Sequence, residues 1–151
     1  MPKFLYTTVG GGEVGRATHE TVAAILNNLQ DRPTWEGVCI APDEVPGPDG
    51  AGQFPILSLS WYPEYGYEVQ CYESAAHSSD FLATDVALSA PEYYVELGGQ
   101  GQELWPRQLF VSASLATQSA RYFIEHGHED PSLVWVPINQ FPRRAVKRQR
   151  R

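Results

Sequence analysis

Apolar and polar positions change period several times along the chain. Phe4–Val9 is a β-branched and aromatic run that predicts a strand, ended by Gly10, Gly11 and Gly12. From Thr18 or His19 the period becomes helical, with Val22, Ile25, Leu26 and Leu29 at i, i+3, i+4 and i+7 forming one apolar stripe. Asp31, Arg32 and Pro33 stop that helix. Residues 38–41 predict a short strand, and residues 42–53, rich in Pro, Gly and Asp, predict a loop.

The middle of the chain alternates with the period of a strand. Leu57, Leu59 and Trp61 alternate with Ser58 and Ser60, so one face is expected to be buried. After a turn at 63–66, Tyr67, Val69 and Cys71 alternate with Glu68, Gln70 and Tyr72, which predicts a hairpin. Further strands are read within 81–88, at 93–97 and at 103–105. A second helical stripe follows: Ala113, Ala116, Ala120, Phe123 and Ile124, with Ser112 as N-cap and Gly127 at the C-terminal cap. Residues 133–136 (LVWV) predict a last strand. Strands joined by turns predict an α+β fold, a mainly antiparallel sheet of about six to seven strands packed with two helices. Trp61, Phe123 and Trp135 are assigned to its core.

Composition narrows the class. The 151 residues include 18 aromatics and only 19% charged side chains, which excludes a disordered chain and a coiled coil. A chain of this length buries roughly 70% of its unfolded surface, enough for a core without staples. No apolar run approaches about 18 residues, so no membrane span is expected. The N-terminus lacks the apolar stretch of a secretion signal, and Cys39 and Cys71 do not form a disulfide framework. A reducing, cytoplasmic setting is the expectation.

Charge divides the chain unevenly. The net charge is −7, yet residues 143–151 hold six of the 11 basic side chains and no acid. Residues 1–142 therefore carry 5 basic against 18 acidic groups, a net of −13. We read 1–142 as one domain and 143–151 as a basic tail. An acidic body repels nucleic acid and favours a cationic partner. Direct nucleic-acid contact is expected, if anywhere, through the tail.

Motifs for catalysis are sparse. Gly10-x-Gly12-x-x-Gly15 fits a dinucleotide turn between strand and helix, but the strand–helix alternation of a doubly wound sheet does not continue. A small nucleotide-binding domain or enzyme built on that turn is the alternative reading; a plain glycine turn is favoured. His126, His128, Glu129 and Asp130 cluster, yet they span a helix end and a loop, and His126 there also suits the helix dipole. No metal and no cofactor are expected. No nucleophile elbow and no deaminase zinc signature is present. The more useful constellation is aromatic plus acidic. Glu64, Tyr65, Glu68, Tyr72, Asp85, Tyr94, Glu96 and Trp105 lie in or beside the middle strands, with Glu68, Asp85 and Glu96 out of phase with their apolar neighbours. Rings supply anchors and carboxylates supply steering at a protein interface.

Several stretches follow a known order: ETVAAILNNLQ in the first helix, FPILSLSW, YGYEVQCYES, PEYYVELGG, a Trp-Pro before the last helix, and ARYFIEHGHEDPSLVWVP at the close. Across roughly residues 4–137 the chain resembles the first-numbered family of Imm-type immunity proteins of bacterial polymorphic toxin systems, typically paired with deaminase toxins. The loop at 42–53 and the basic tail depart from that pattern. The resemblance implies a non-enzymatic protein that binds a cognate toxin domain and occludes its active or nucleic-acid-binding surface. The eight aromatic and acidic residues above are the toxin-binding candidates. They come from strand phase and are not family motif positions.

Overall fold

The computed structural model describes residues 3–9, 12–33, 35–43, 54–63, 65–74, 79–84, 93–96 and 102–138, with the backbone alone at 93–96 and 102–105. The elements in chain order are β1 (Phe4–Val9), β2 (Val14–Arg16), α1 (His19–Leu29), β3 (Glu36–Pro42), β4 (Ile56–Tyr62), β5 (Gly66–Tyr72), β6 (Asp80–Ala83), β7 (Tyr93–Glu96), β8 (Gln102–Trp105), α2 (Ala113–His126) and β9 (Val134–Pro137). Seven strands form one sheet in the order β2-β1-β3-β4-β5-β6-β9, every neighbouring pair antiparallel. This is the α+β architecture expected from the periodicity. The middle strands do not all join that sheet. Among the described residues β7 and β8 pair only with each other, and the place beside β6 goes to β9 from the chain's far end.

The glycine-rich turn serves a hairpin. Gly12 has φ +68, and Thr8 N–H donates to the Glu13 carbonyl at 2.8 Å, so β1 folds back on β2. Gly15 pairs with Tyr6, where an added Cβ would lie 2.7 Å from the Tyr6 hydroxyl. Helix α1 begins only after this hairpin, capped by Thr18. Thr21 N–H donates to Thr18 Oγ1 at 3.1 Å, and Thr18 N–H donates to Thr21 Oγ1 at 2.9 Å. The strand–turn–helix geometry of a dinucleotide turn is therefore not formed. Gly10 lies outside the described residues.

Both helices cover one face of the sheet. Val22, Leu26 and Leu29 of α1, and Ala116, Ala120 and Phe123 of α2, pack on Val38, Ile40, Leu57, Leu59, Val69 and Leu82. Alanines on α2 let that helix approach the sheet, and Phe123 reaches Phe4 with ring centroids 5.0 Å apart. Of the three residues assigned to the core, Phe123 is fully buried, while Trp61 and Trp135 are half-buried against the same cluster. Ser112 and Gly127 cap α2 as read: Leu115 N–H donates to Ser112 Oγ at 3.2 Å, and Gly127 has φ +75.

Part of the opposite face is covered as well. A 3-10 turn at Arg107–Leu109 brings Leu109 and Phe110 onto Tyr62, Phe81, Ala83 and Val136, a second apolar cluster. Its segment is pinned to β5 by two hydrogen bonds, Tyr67 N–H to the Val111 carbonyl at 3.0 Å and Val111 N–H to the Tyr67 carbonyl at 2.8 Å. Gly66 permits this approach: its φ is +119, and a Cβ there would meet the Val111 oxygen at 2.8 Å.

Candidate protein-binding surface

The end of the β4–β5 hairpin gathers rings from four parts of the chain. Alternation sends Trp61 to the helical face, where it packs on Tyr67 at 5.0 Å and its Nε1–H donates to the Arg32 carbonyl at 3.4 Å. Tyr62 takes the other face and meets Phe110 edge-on at 5.6 Å and Trp35 at 6.5 Å. Tyr65, in the turn, leans on Phe110 at 5.4 Å. Between these rings opens a crevice of about 300 Å3, lined by Trp61, Tyr65, Tyr67 and Phe110, with Gln30 and Ser112 at its edges. The Tyr67 hydroxyl donates to the Leu26 carbonyl, locking the crevice floor to α1. Trp35, close by, keeps 36% of its surface exposed. Aromatic anchors beside a concavity are what an interface hot spot requires. A second, larger groove of about 660 Å3 runs between α1 and α2, lined by polar side chains such as Asn27, Thr117 and Gln118 together with apolar ones such as Leu26.

Of the sequence-derived candidates, Tyr65 lines the crevice and is half-buried. Glu68 lies out of phase with Val69 as expected, but it is not on a solvent face. It shares its side of the sheet with Tyr62 and Phe81 of the second cluster and is 8% exposed. Burial pushes its carboxyl up to about 7, against which a hydrogen bond from Tyr62 pulls down. Tyr72 is half-buried on the same face, its hydroxyl pushed up by burial and then by Glu68. Tyr94, Glu96 and Trp105 lie on the separate β7–β8 ribbon, where Tyr94 pairs with Leu104, Glu96 with Gln102 and Trp105 with Tyr93. The eight residues are thus not on one sheet. Glu64 and Asp85 lie outside the described residues, as does the basic tail.

The acidic end of α2 is structural in its contacts. Asp130 accepts from Ser132 Oγ at 2.7 Å, Ser132 N–H at 2.9 Å and Gln118 Nε2 at 3.3 Å. Burial pulls its carboxyl upward, but these bonds outweigh it and hold the group below the usual carboxylate range. Glu129 moves the other way, raised by burial and then by a hydrogen bond with Asp80, so it keeps its proton. Burial, with Glu129, Glu73 and Asp80 nearby, also raises the Cys71 thiol far from thiolate chemistry. His126 and His19 flank Glu125 at 3.6 and 3.0 Å. Among the described residues no group of three His, Cys, Asp or Glu side chains is arranged to hold a metal ion. No described helix is long and apolar enough to cross a membrane.

No family model matches the chain, and no curated protein matches it.

Sequence reasoning missed Phe110 and Gln30 as parts of the crevice, and Trp35 beside it. Trp35 precedes a strand and Phe110 precedes a helix cap, positions whose periodicity carries no sign of the partner they meet.

Proposed function

We propose that this chain is a non-catalytic immunity-type protein of the producing cell's cytoplasm. It binds a cognate toxin domain, expected to be a deaminase-fold effector, and occludes its active or nucleic-acid-binding surface without a cofactor. The observation that carries this reading is the aromatic crevice at the β4–β5 hairpin, set in a body of net charge −13. A toxin that grips nucleic acid presents basic side chains around its site. An acidic body is drawn to that surface, and the rings supply the anchors once contact is made. A specific inhibitor interface buries on the order of 1,600 Å2. The resemblance in chain order to Imm-type immunity proteins points the same way.

The test is co-expression of the full chain with the toxin domain encoded by the neighbouring reading frame, scored by colony survival. Survival that depends on the chain is the expected result. Death at equal toxin levels, or turnover of a small molecule by the purified protein, would overturn the reading.

A further inference from the structure

The seven-stranded sheet ends in two edges, β2 and β9, and they are built differently. A free edge offers unpaired N–H and C=O groups to another strand, and chains guard such edges with proline or charge. On β9, Ile138 N–H donates to the Ser79 carbonyl at 3.0 Å. By the alternation of an antiparallel ladder, its neighbour Pro137 then faces outward. Proline has no N–H, so that edge is blocked at this position. On β2 the inward bonds run from Thr8 N–H to the Glu13 carbonyl at 2.8 Å and from Ala17 N–H to the Phe4 carbonyl at 2.9 Å. The same alternation turns Val14 and Arg16 outward. The Val14 N–H, the Val14 carbonyl and the Arg16 N–H have no partner among the described residues, and the Arg16 carbonyl accepts from Thr21 Oγ1 at 3.0 Å. Val14 is also 58% exposed, the most of any large apolar residue described, and Arg16 is exposed with no ion pair among the described residues.

We propose that β2 pairs antiparallel with β2 of a second copy of this chain, about a two-fold axis through Gly15. The register follows from the free groups. With Gly15 opposite Gly15, Val14 of each copy falls opposite Arg16 of the other, and each such pair exchanges two N–H···O bonds. Every outward group is used, the Arg16 carbonyl through its second lone pair. The aliphatic stem of each arginine then lies on the valine that the single chain leaves exposed. This self-complementarity about one residue is what singles out a second copy as the occupant. The strand has three residues and both copies carry net negative charge, so the pairing is weak, with a Kd on the order of 0.1–1 mM, and salt tightens it. The inference concerns the sheet edge and does not depend on the toxin-binding reading.

The test is sedimentation equilibrium of the full chain from about 0.02 to 1 mM, with no toxin present. A monomer–dimer equilibrium is expected. Val14→Pro removes an N–H that bonds nothing within the described fold, so it should weaken the dimer at least about tenfold at unchanged Tm. Two further variants keep the test open should the proline disturb folding, because both replace an exposed side chain. Val14→Glu sets an acid opposite Arg16 of the other copy and should tighten the dimer about threefold; Val14→Lys sets like charges there and should weaken it about threefold. A monomer at every concentration, which would leave the edge to another protein's strand or to a segment of this chain itself, overturns the proposal. So does a dimer indifferent to a folded Val14→Pro, or one that Val14→Glu and Val14→Lys shift in the same direction.

Discussion

Glu68, a buried side chain, makes the stability of the fold depend on pH. Its carboxyl moves from 4.5 to about 7 on folding because burial disfavours the charge. A raised acid binds a proton more readily in the folded chain, so its contribution to stability is fullest below the unfolded value. That contribution is lost as pH rises toward 7. Glu129 is raised too and acts in the same direction. Asp130 is lowered, and its contribution is lost only at lower pH, below the usual carboxylate range. Melting by calorimetry should therefore give a higher Tm at pH 5 than at pH 8. Glu68→Gln should stabilise at pH 8 by up to about 3 kcal/mol and flatten much of that slope. An unchanged slope in this variant would show that Glu68 is solvated. Gly66 is the second decisive position. Gly66→Ala combines φ +119 with a 2.8 Å approach to the Val111 oxygen, so a loss of at least about 1–3 kcal/mol is expected in urea unfolding. Phase placed Glu68 opposite Val69, and that parity is what forms. Its burial was not legible, because the covering rings arrive with Leu109 and Phe110 from some 40 residues away.

Elements with their own local code were the legible ones. The stripe Val22, Leu26 and Leu29 is the buried face of α1, and Ser112 and Gly127 bound α2 as their chemistry requires. The β4–β5 hairpin pairs Leu59 with Val69 and Leu57 with Cys71, as their alternation predicts. β2 was not legible: at three residues, Val14–Arg16 is too short to show a period, and its pairing depends on Gly15 yielding to the Tyr6 ring. Nor does local pattern reveal that β9 displaces β7 beside β6, since strand order is settled by long-range packing. Within α2, Phe123 is the residue on which docking to the sheet turns. Phe123→Ala should cost about 3–5 kcal/mol, read from the denaturant midpoint at unchanged slope. A loss below about 1 kcal/mol would mean that the contact with Phe4 repacks.

For the whole molecule the governing quantity is the field of the body. Burial raises the carboxyls of Glu129 and Glu68, so the acids left to steer the proposed partner are the remaining ones. Association with the proposed toxin domain should slow as salt rises from about 0.05 to 0.5 M, while dissociation changes less. Stopped-flow rates at several ionic strengths check this, and a flat association rate would remove steering from the mechanism. Glu68→Lys belongs to a different measurement: placing a cation in the second cluster would be read in stability before it was read in binding.

The reciprocal pair of bonds between Tyr67 and Val111 has its own dynamic signature. It stitches the seam where the two apolar clusters meet, directly under the crevice. Deuterium uptake at these two amides therefore clocks the opening of the hairpin's root. A guest wedged between the rings should slow both exchanges together, giving a local stopwatch for occupancy that needs no knowledge of the guest.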